Sequence, residues 1–313
     1  MALDASAKQI LETIAAAQAK GAPQLQEVSP AEARQMHLRS KDVFGTDGPD
    51  LLDVHDDAVA GVVADIPIRI YRDSPKRQPV VVYYHGGGWV IGDLDSHDGL
   101  CRHIAKASGF TVISVDYRLA PEHRFPAAVD DAYAALLGVV ARAEELAIDP
   151  MRVAVAGDSA GGNLAAVVAQ LAKAQNGPEL ALQALLYPAT DLQANTASHA
   201  TFTDHLLTPA AYRWFVDLYT GQPADRDDPR ASPLRAESVA GLARAFVLTA
   251  GFDPLRDEGE AYAQKLAGAG VPVSYRCYDG QIHGFLTLDR VVKEANAAVA
   301  ELAEALQDAM GRV

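Results

Sequence analysis

From about residue 60 onward the chain alternates between two periods, and that alternation limits its fold more than any other feature. Short β-branched runs occur at Ile66–Tyr71, Pro79–Tyr84, Thr111–Val115, Arg152–Ala156, Leu182–Tyr187, Ala245–Ala250 and Val273–Tyr278. Helical patterns separate most of them, at about 97–108, 127–146, 160–174, 257–269 and 290–309. Several runs, such as Val80-Val-Val-Tyr-Tyr84, are almost continuously apolar, as strands covered on both faces must be. The pattern predicts an α/β fold with a mostly parallel central sheet and helices on both faces.

Other stretches stand outside the alternation. Residues 4–20 repeat Ile10, Leu11, Ile14 and Ala17 at helical spacing, and Ser29 caps a second helix opened by Pro30. Residues 41–56 show no clear period and read as a loop punctuated by Gly45, Gly48 and Pro49. Residues 190–235, with Phe202, Leu206, Leu207, Tyr212, Trp214 and Phe215, are too long for a simple connection and read as one or two extra helices.

Composition excludes several classes of function. With 41 acidic against 27 basic side chains, the 313-residue chain carries a net charge of −14, which argues against nucleic acid as a partner. No window approaches the roughly 18 apolar residues of a membrane span. The first residues lack the basic-then-apolar order of a signal peptide, so a cytoplasmic protein is expected. Cys101 and Cys277 form neither a disulfide framework nor a zinc ligand set, and both read as buried small hydrophobes. His97, His103 and His123 lack metal-ligand spacing and read as surface groups or supports of a site. No metal is expected.

The chemistry concentrates in four motifs. Gly157-Asp-Ser159-Ala-Gly161 falls between a strand and a helix, where a tight turn lifts the Ser159 hydroxyl to the C-terminal edge of the sheet. A serine needs a base, and in this arrangement the order is serine, acid, histidine. His283, in the loop after the last run, is assigned as general base and acid. His199 and His205 fall in the extra helices and read as surface or pocket-rim groups. Asp253, just past the run at 245–250, is chosen as the acid; Asp257 and Glu258 remain alternatives, expected mainly to complement a helix dipole. His85-Gly-Gly-Gly88-Trp89 follows another strand, and its glycines let backbone N–H groups of Gly87 and Gly88 approach an oxyanion, with Ala160 N–H as a third donor. His85 reads as an anchor for that loop. The glycines are no phosphate loop, because neither Lys-Ser nor Lys-Thr follows.

Taken together with Asp116-Tyr-Arg-Leu-Ala-Pro-Glu122 and the asparagine of Gly161-Gly-Asn163, these motifs resemble the hormone-sensitive-lipase-like branch of the α/β-hydrolases, which includes many bacterial carboxylesterases. The resemblance implies a triad of Ser159, Asp253 and His283, with Gly87, Gly88 and Ala160 as oxyanion donors. It implies that the Tyr117–Glu122 segment buttresses the glycine loop, in part through a buried arginine–carboxylate pair. It also implies a catalytic core at 46–189 and 226–313 beneath a discontinuous helical cap at 1–45 and 190–225. Trp89, Leu206 and Phe215 are chosen as pocket lining, with plain core packing the alternative for each.

The expected activity is hydrolysis of short- to medium-chain carboxylic esters through an acyl-enzyme, with no cofactor and a small-molecule ester as the partner. The same groups could instead serve an amide deacetylase or an acyltransferase, and a non-catalytic receptor of the same fold is the remote alternative. The last run, near a sheet edge, leaves a homodimer open.

Overall fold

The computed structural model describes residues 2–312. Helices α1 (Ala5–Ala19) and α2 (Pro30–Phe44) precede strands β1 (Asp53–Val59), β2 (Ile66–Arg72) and β3 (Gln78–Tyr84). Then come α3 (Asp98–Ser108), β4 (Thr111–Val115), α4 (Ala127–Ala141), β5 (Ile148–Asp158), α5 (Ala160–Ala174) and β6 (Leu182–Leu186). The chain continues through α6 (Ala197–Thr201), α7 (Pro209–Tyr219), β7 (Ala245–Phe252), α8 (Arg256–Gly268), β8 (Val273–Ile282) and α9 (Glu294–Met310). The strands form one sheet in the order β1-β2-β4-β3-β5-β6-β7-β8. β2 runs antiparallel to both β1 and β4, and every other pairing is parallel.

Two apolar cores flank this sheet, and the strand period divides β3 between them. Val80, Val82 and Tyr84 pack with buried residues of α4, α5 and α8, whereas Val81 and Tyr83 pack with those of α3 and α9. Continuous apolar runs therefore mark the strands that need cover on both sides. Strands rich in polar residues are the exceptions.

β1 is such an exception and a correction, because its segment carries no readable period and was expected to be largely loop. It is an edge strand bearing His55, Asp56 and Asp57, residue types with little strand preference. Register places Asp56 opposite Arg69 of β2, and the guanidinium Nε donates to Asp56 Oδ1 at 2.6 Å. Cross-strand pairing thus supplies what local propensity lacks. β5 and β8 also run longer than their apolar runs, so that β8 ends directly before His283. Cys101 is buried on α3, as expected, but Cys277 is only half-buried, because β8 is the opposite edge and its outer residues face solvent. Among the described residues no helix is long and apolar enough to cross a membrane.

Candidate active site

β5 ends at Asp158 and α5 begins at Ala160, so Ser159 alone makes the turn, at φ 55° and ψ −116°. A non-glycine residue held there costs on the order of 1–3 kcal/mol. The surroundings impose it: Ser159 N–H donates to Leu186 O at 2.8 Å, and the Asn163 N–H donates to Ser159 O at 3.0 Å. The motif glycines are required by space. A Cβ on Gly157 would run into the Gly161 carbonyl, and one on Gly161 into the carbonyl of Tyr84. The same motif's Asn163 donates from Nδ2 to Ala189 O and Ala231 O at 2.8 and 2.7 Å, tying the loop after β6 to α5.

Three sheet-edge loops bring Ser159, His283 and Asp253 together. Ser159 Oγ lies 2.8 Å from His283 Nε2, and His283 Nδ1 lies 2.7 Å from Asp253 Oδ2. An ionised carboxylate only accepts, so Nδ1 carries the proton and Nε2 is free to take one from the serine. Asp253 is fully buried, and its other oxygen accepts the Leu255 N–H at 2.8 Å. The Tyr187 ring meets the His283 imidazole edge-on, with centroids 5.0 Å apart, and helps fix its plane. Asp257 and Glu258 do not reach His283. Asp257 accepts the Ser198 N–H and pairs with Arg256.

Glu258 and His199 both depart from expectation. Glu258 is fully buried rather than a surface complement to the helix dipole: it accepts the Thr190 N–H at 2.7 Å and faces His199 Nε2 at 2.9 Å. Burial pushes its carboxyl pKa up, against the pull of His199 and the two N–H groups of Thr190 and Asp191. His199 is accordingly buried, not a surface or rim group, because a buried carboxylate requires a donor where α6 packs on α8.

Gly87 and Gly88 have φ of +116° and +59°, and a Cβ on Gly88 would enter the Phe215 ring. Among the described residues the N–H groups of Gly87, Gly88 and Ala160 make no hydrogen bond. The loop is held from below. Asp158 Oδ1 accepts the Gly86 N–H at 2.9 Å and the Tyr83 O–H at 2.8 Å, with His97 Nε2 at 3.3 Å. Burial, the largest influence on Asp158, pushes its pKa up, but His97 and Tyr83 outweigh it and hold the carboxyl below its usual range. One carboxylate thereby joins the residue before Ser159 to the residue before Gly87. Sequence reasoning assigned no role to Asp158, although its place inside the serine motif was the signal. His97 is buried beside it, a support rather than a surface group.

His85 stacks on Tyr117 with centroids 4.3 Å apart, and Tyr117 O–H donates to His85 O at 2.7 Å. Burial, aided by His97, holds the His85 pKa down to about 3, so its imidazole is neutral and fills space under the loop. Arg118 grips the buried Asp131 with two side-chain bonds, at 2.8 and 2.7 Å. His123 is exposed, and His103 lies 3.2 Å from Asp289.

Above Ser159 opens a cavity of about 630 Å³. Phe215 and Leu206 line it, Leu206 being 37% exposed. Trp89 contributes to the wall, but its ring is committed to a stack on Tyr219, with centroids 4.3 Å apart. Ile10, Leu11 and Ile14 of α1 and Tyr212 of α7 complete much of the apolar surface, so both stretches outside the alternation face one cavity. His205 also lines it. Among the described residues no three His, Cys, Asp or Glu side chains are grouped to hold a metal ion.

Comparison with known proteins agrees with this geometry. The chain is 48% identical to the carboxylic ester hydrolase LipN of Mycobacterium tuberculosis over 275 residues, 85% of this chain and 73% of that protein. It is 43% identical to the ethyl acetate hydrolase of Pseudomonas putida, covering 77% of this chain and 78% of the relative. Among solved structures, the hyperthermophilic esterase of the archaeon Pyrobaculum calidifontis superposes with a TM-score of 0.94 at 39% identity, covering 98% of this chain and 99% of the other. Residues 81–287 match the family described as alpha/beta hydrolase fold. The motifs, the sheet and these relatives together place the chain in the hormone-sensitive-lipase-like, carboxylesterase branch of the α/β-hydrolase family.

Proposed function

We propose that the chain is a serine carboxylic ester hydrolase acting through an acyl-enzyme. The observation that carries this reading is the Ser159–His283–Asp253 relay, with contacts of 2.8 and 2.7 Å, beside three unbonded N–H groups at the floor of an apolar cavity. His283 Nε2 takes the Ser159 proton as Oγ attacks the ester carbonyl, and Asp253 stabilises the imidazolium. The amides of Gly87, Gly88 and Ala160 receive the oxyanion. Collapse expels the alcohol, which leaves with the proton held on His283. Water then attacks the acyl-enzyme, giving its proton to His283, and the acid is released as the serine is re-protonated.

Residues 1–45 and 190–225 are read as a discontinuous cap, since α1, α2 and α7 all contribute to the cavity wall. Gly87, Gly88, Ala160, Trp89, Leu206 and Phe215 are assigned to the oxyanion site and the acyl pocket on the same ground. A cavity of about 630 Å³ lined mainly by aliphatic and aromatic side chains suits neutral esters of short to medium acyl length. A fluorophosphonate probe tests the reading: it should attach to the peptide carrying Ser159, and 4-nitrophenyl esters from acetyl to decanoyl should show a burst equal to the labelled sites. Labelling elsewhere, or turnover that survives complete labelling, would overturn it.

A further inference from the structure

One set of contacts lies outside this mechanism and reaches it from α2. Arg34 Nε donates to Val90 O at 2.8 Å, and one terminal nitrogen donates to Ala120 O at 2.9 Å. The terminal nitrogens also grip Glu122 at 3.0 and 2.6 Å, which fixes the plane of the guanidinium. The carbonyl of Val90 and the N–H of Ile91 belong to one rigid peptide unit. That Ile91 N–H donates to Gly87 O at 2.9 Å, and the Val90 N–H reaches the same oxygen at 3.1 Å. Gly87 O in turn shares a peptide unit with the N–H of Gly88, which points to the other side.

The result is a head-to-tail chain: guanidinium, Val90–Ile91 peptide, Gly87–Gly88 peptide, open N–H. Every donor points the same way, so a cation at the start polarises each amide toward the end where negative charge develops. The fold explains why this loop needs an outside tether. Glycines at 86–88 contribute no side chains, so φ of +116° and +59° is selected by neighbouring groups: Asp158 on Gly86, and the Val90 and Ile91 N–H groups on Gly87 O.

We propose that Arg34 is a positioning residue for the oxyanion site, aligning and polarising the Gly88 N–H through two peptide units. The inference rests on the reading that Gly88 N–H binds the oxyanion. It gives the N-terminal stretch a part in the chemical step as well as in the cavity wall.

The test compares Arg34→Lys, Arg34→Gln and Arg34→Ala with the intact protein, all normalised to fluorophosphonate-titrated sites. A misplaced donor costs roughly 10- to 100-fold. Arg34→Ala should therefore lose about that much kcat with KM within about threefold, Arg34→Lys should recover part of it, and added guanidinium ion should raise the rate of Arg34→Ala. A trifluoromethyl ketone forms a hemiketal oxyanion on a serine, and its preference over the matching methyl ketone should shrink in step with kcat. If the intact protein shows no such preference, the oxyanion reading fails and the proposal with it. If the intact protein shows the preference, but the variants keep both it and kcat per titrated site, Arg34 alone is wrongly assigned. Should Arg34→Ala not fold, Arg34→Lys and Arg34→Gln carry the same comparison.

Discussion

The floor and the roof of the cavity are built by opposite means. On the floor, each reacting group stands at the end of a parallel strand and is fixed mainly by neighbours close in sequence or on the adjoining strand: Ser159 by Leu186 and Asn163, Asp253 by Leu255. The roof side is lined by residues of α1, α2 and α7, which lie far apart in sequence and carry no local code. The contrast separates two demands. Chemistry needs positions held to a fraction of an ångström on rigid elements, whereas substrate cover needs only apolar area of suitable shape. Floor substitutions should therefore act on kcat, and roof substitutions on KM and chain selectivity. Arg34 is where the two meet, since it ties α2 to the glycine loop.

The largest effect that would sharpen this division is Asp253→Asn, which leaves the packing but misdirects the His283 tautomer. Its kcat should drop about 10⁴-fold with little change in KM, measured on a 4-nitrophenyl ester. A drop shared between kcat and KM would blur the floor's supposed separation from binding. Asp158→Asn comes next. It keeps an acceptor for Gly86 and Tyr83 but removes the charge facing His97, so kcat should fall roughly 10- to 100-fold. An unchanged kcat would show that the glycine loop does not depend on this carboxylate.

Leu206→Ala probes the roof. Shortening this side chain should raise KM for the longer acyl esters about fourfold while leaving kcat for acetate alone, in line with the transfer energy of about one methylene. A kcat effect there would contradict the division.

A further expected effect is on stability against pH rather than on rate. The unfolded chain protonates His85 near the ordinary pKa of 6.5, whereas the folded chain resists until about 3. Stability from this group is therefore present above 6.5 and is lost as pH falls toward 3. Tm measured by calorimetry should decline from pH 7 to pH 4.5, and His85→Gln should flatten that decline. An equal slope in both proteins would place the acid sensitivity elsewhere.

How much could be read in advance follows the same split. Apolar runs gave the central strands, because burial on both faces leaves no room for polar residues. The turn geometry at Ser159 and the glycine loop allows only certain residues, so those positions were legible from local order alone. β1 was not, since it is held by its ladder with β2, paired from Asp53–Arg72 to Val59–Ile66, rather than by its own composition. Glu258 was read as a helix-dipole acid because the sequence shows its place at the start of α8 but not that Thr190, Asp191 and His199 converge on it. Arg34 lies in a stretch with no motif at all, and only the fold brings it to Val90. For the roof, periodicity announced a helix at 4–20 and the Ser29–Pro30 pair another from 30, but not that both would line the cavity at Ser159.

On the proposed function, Ser159 is the nucleophile on which the whole floor is organised. The most direct measurement is kcat/KM of Ser159→Ala on 4-nitrophenyl butyrate, with folding checked by circular dichroism and by an unchanged affinity for a non-reactive ester analogue. A fall of at least about 10⁴-fold with binding retained is expected. A folded Ser159→Ala protein that keeps more than a small fraction of its activity would contradict it.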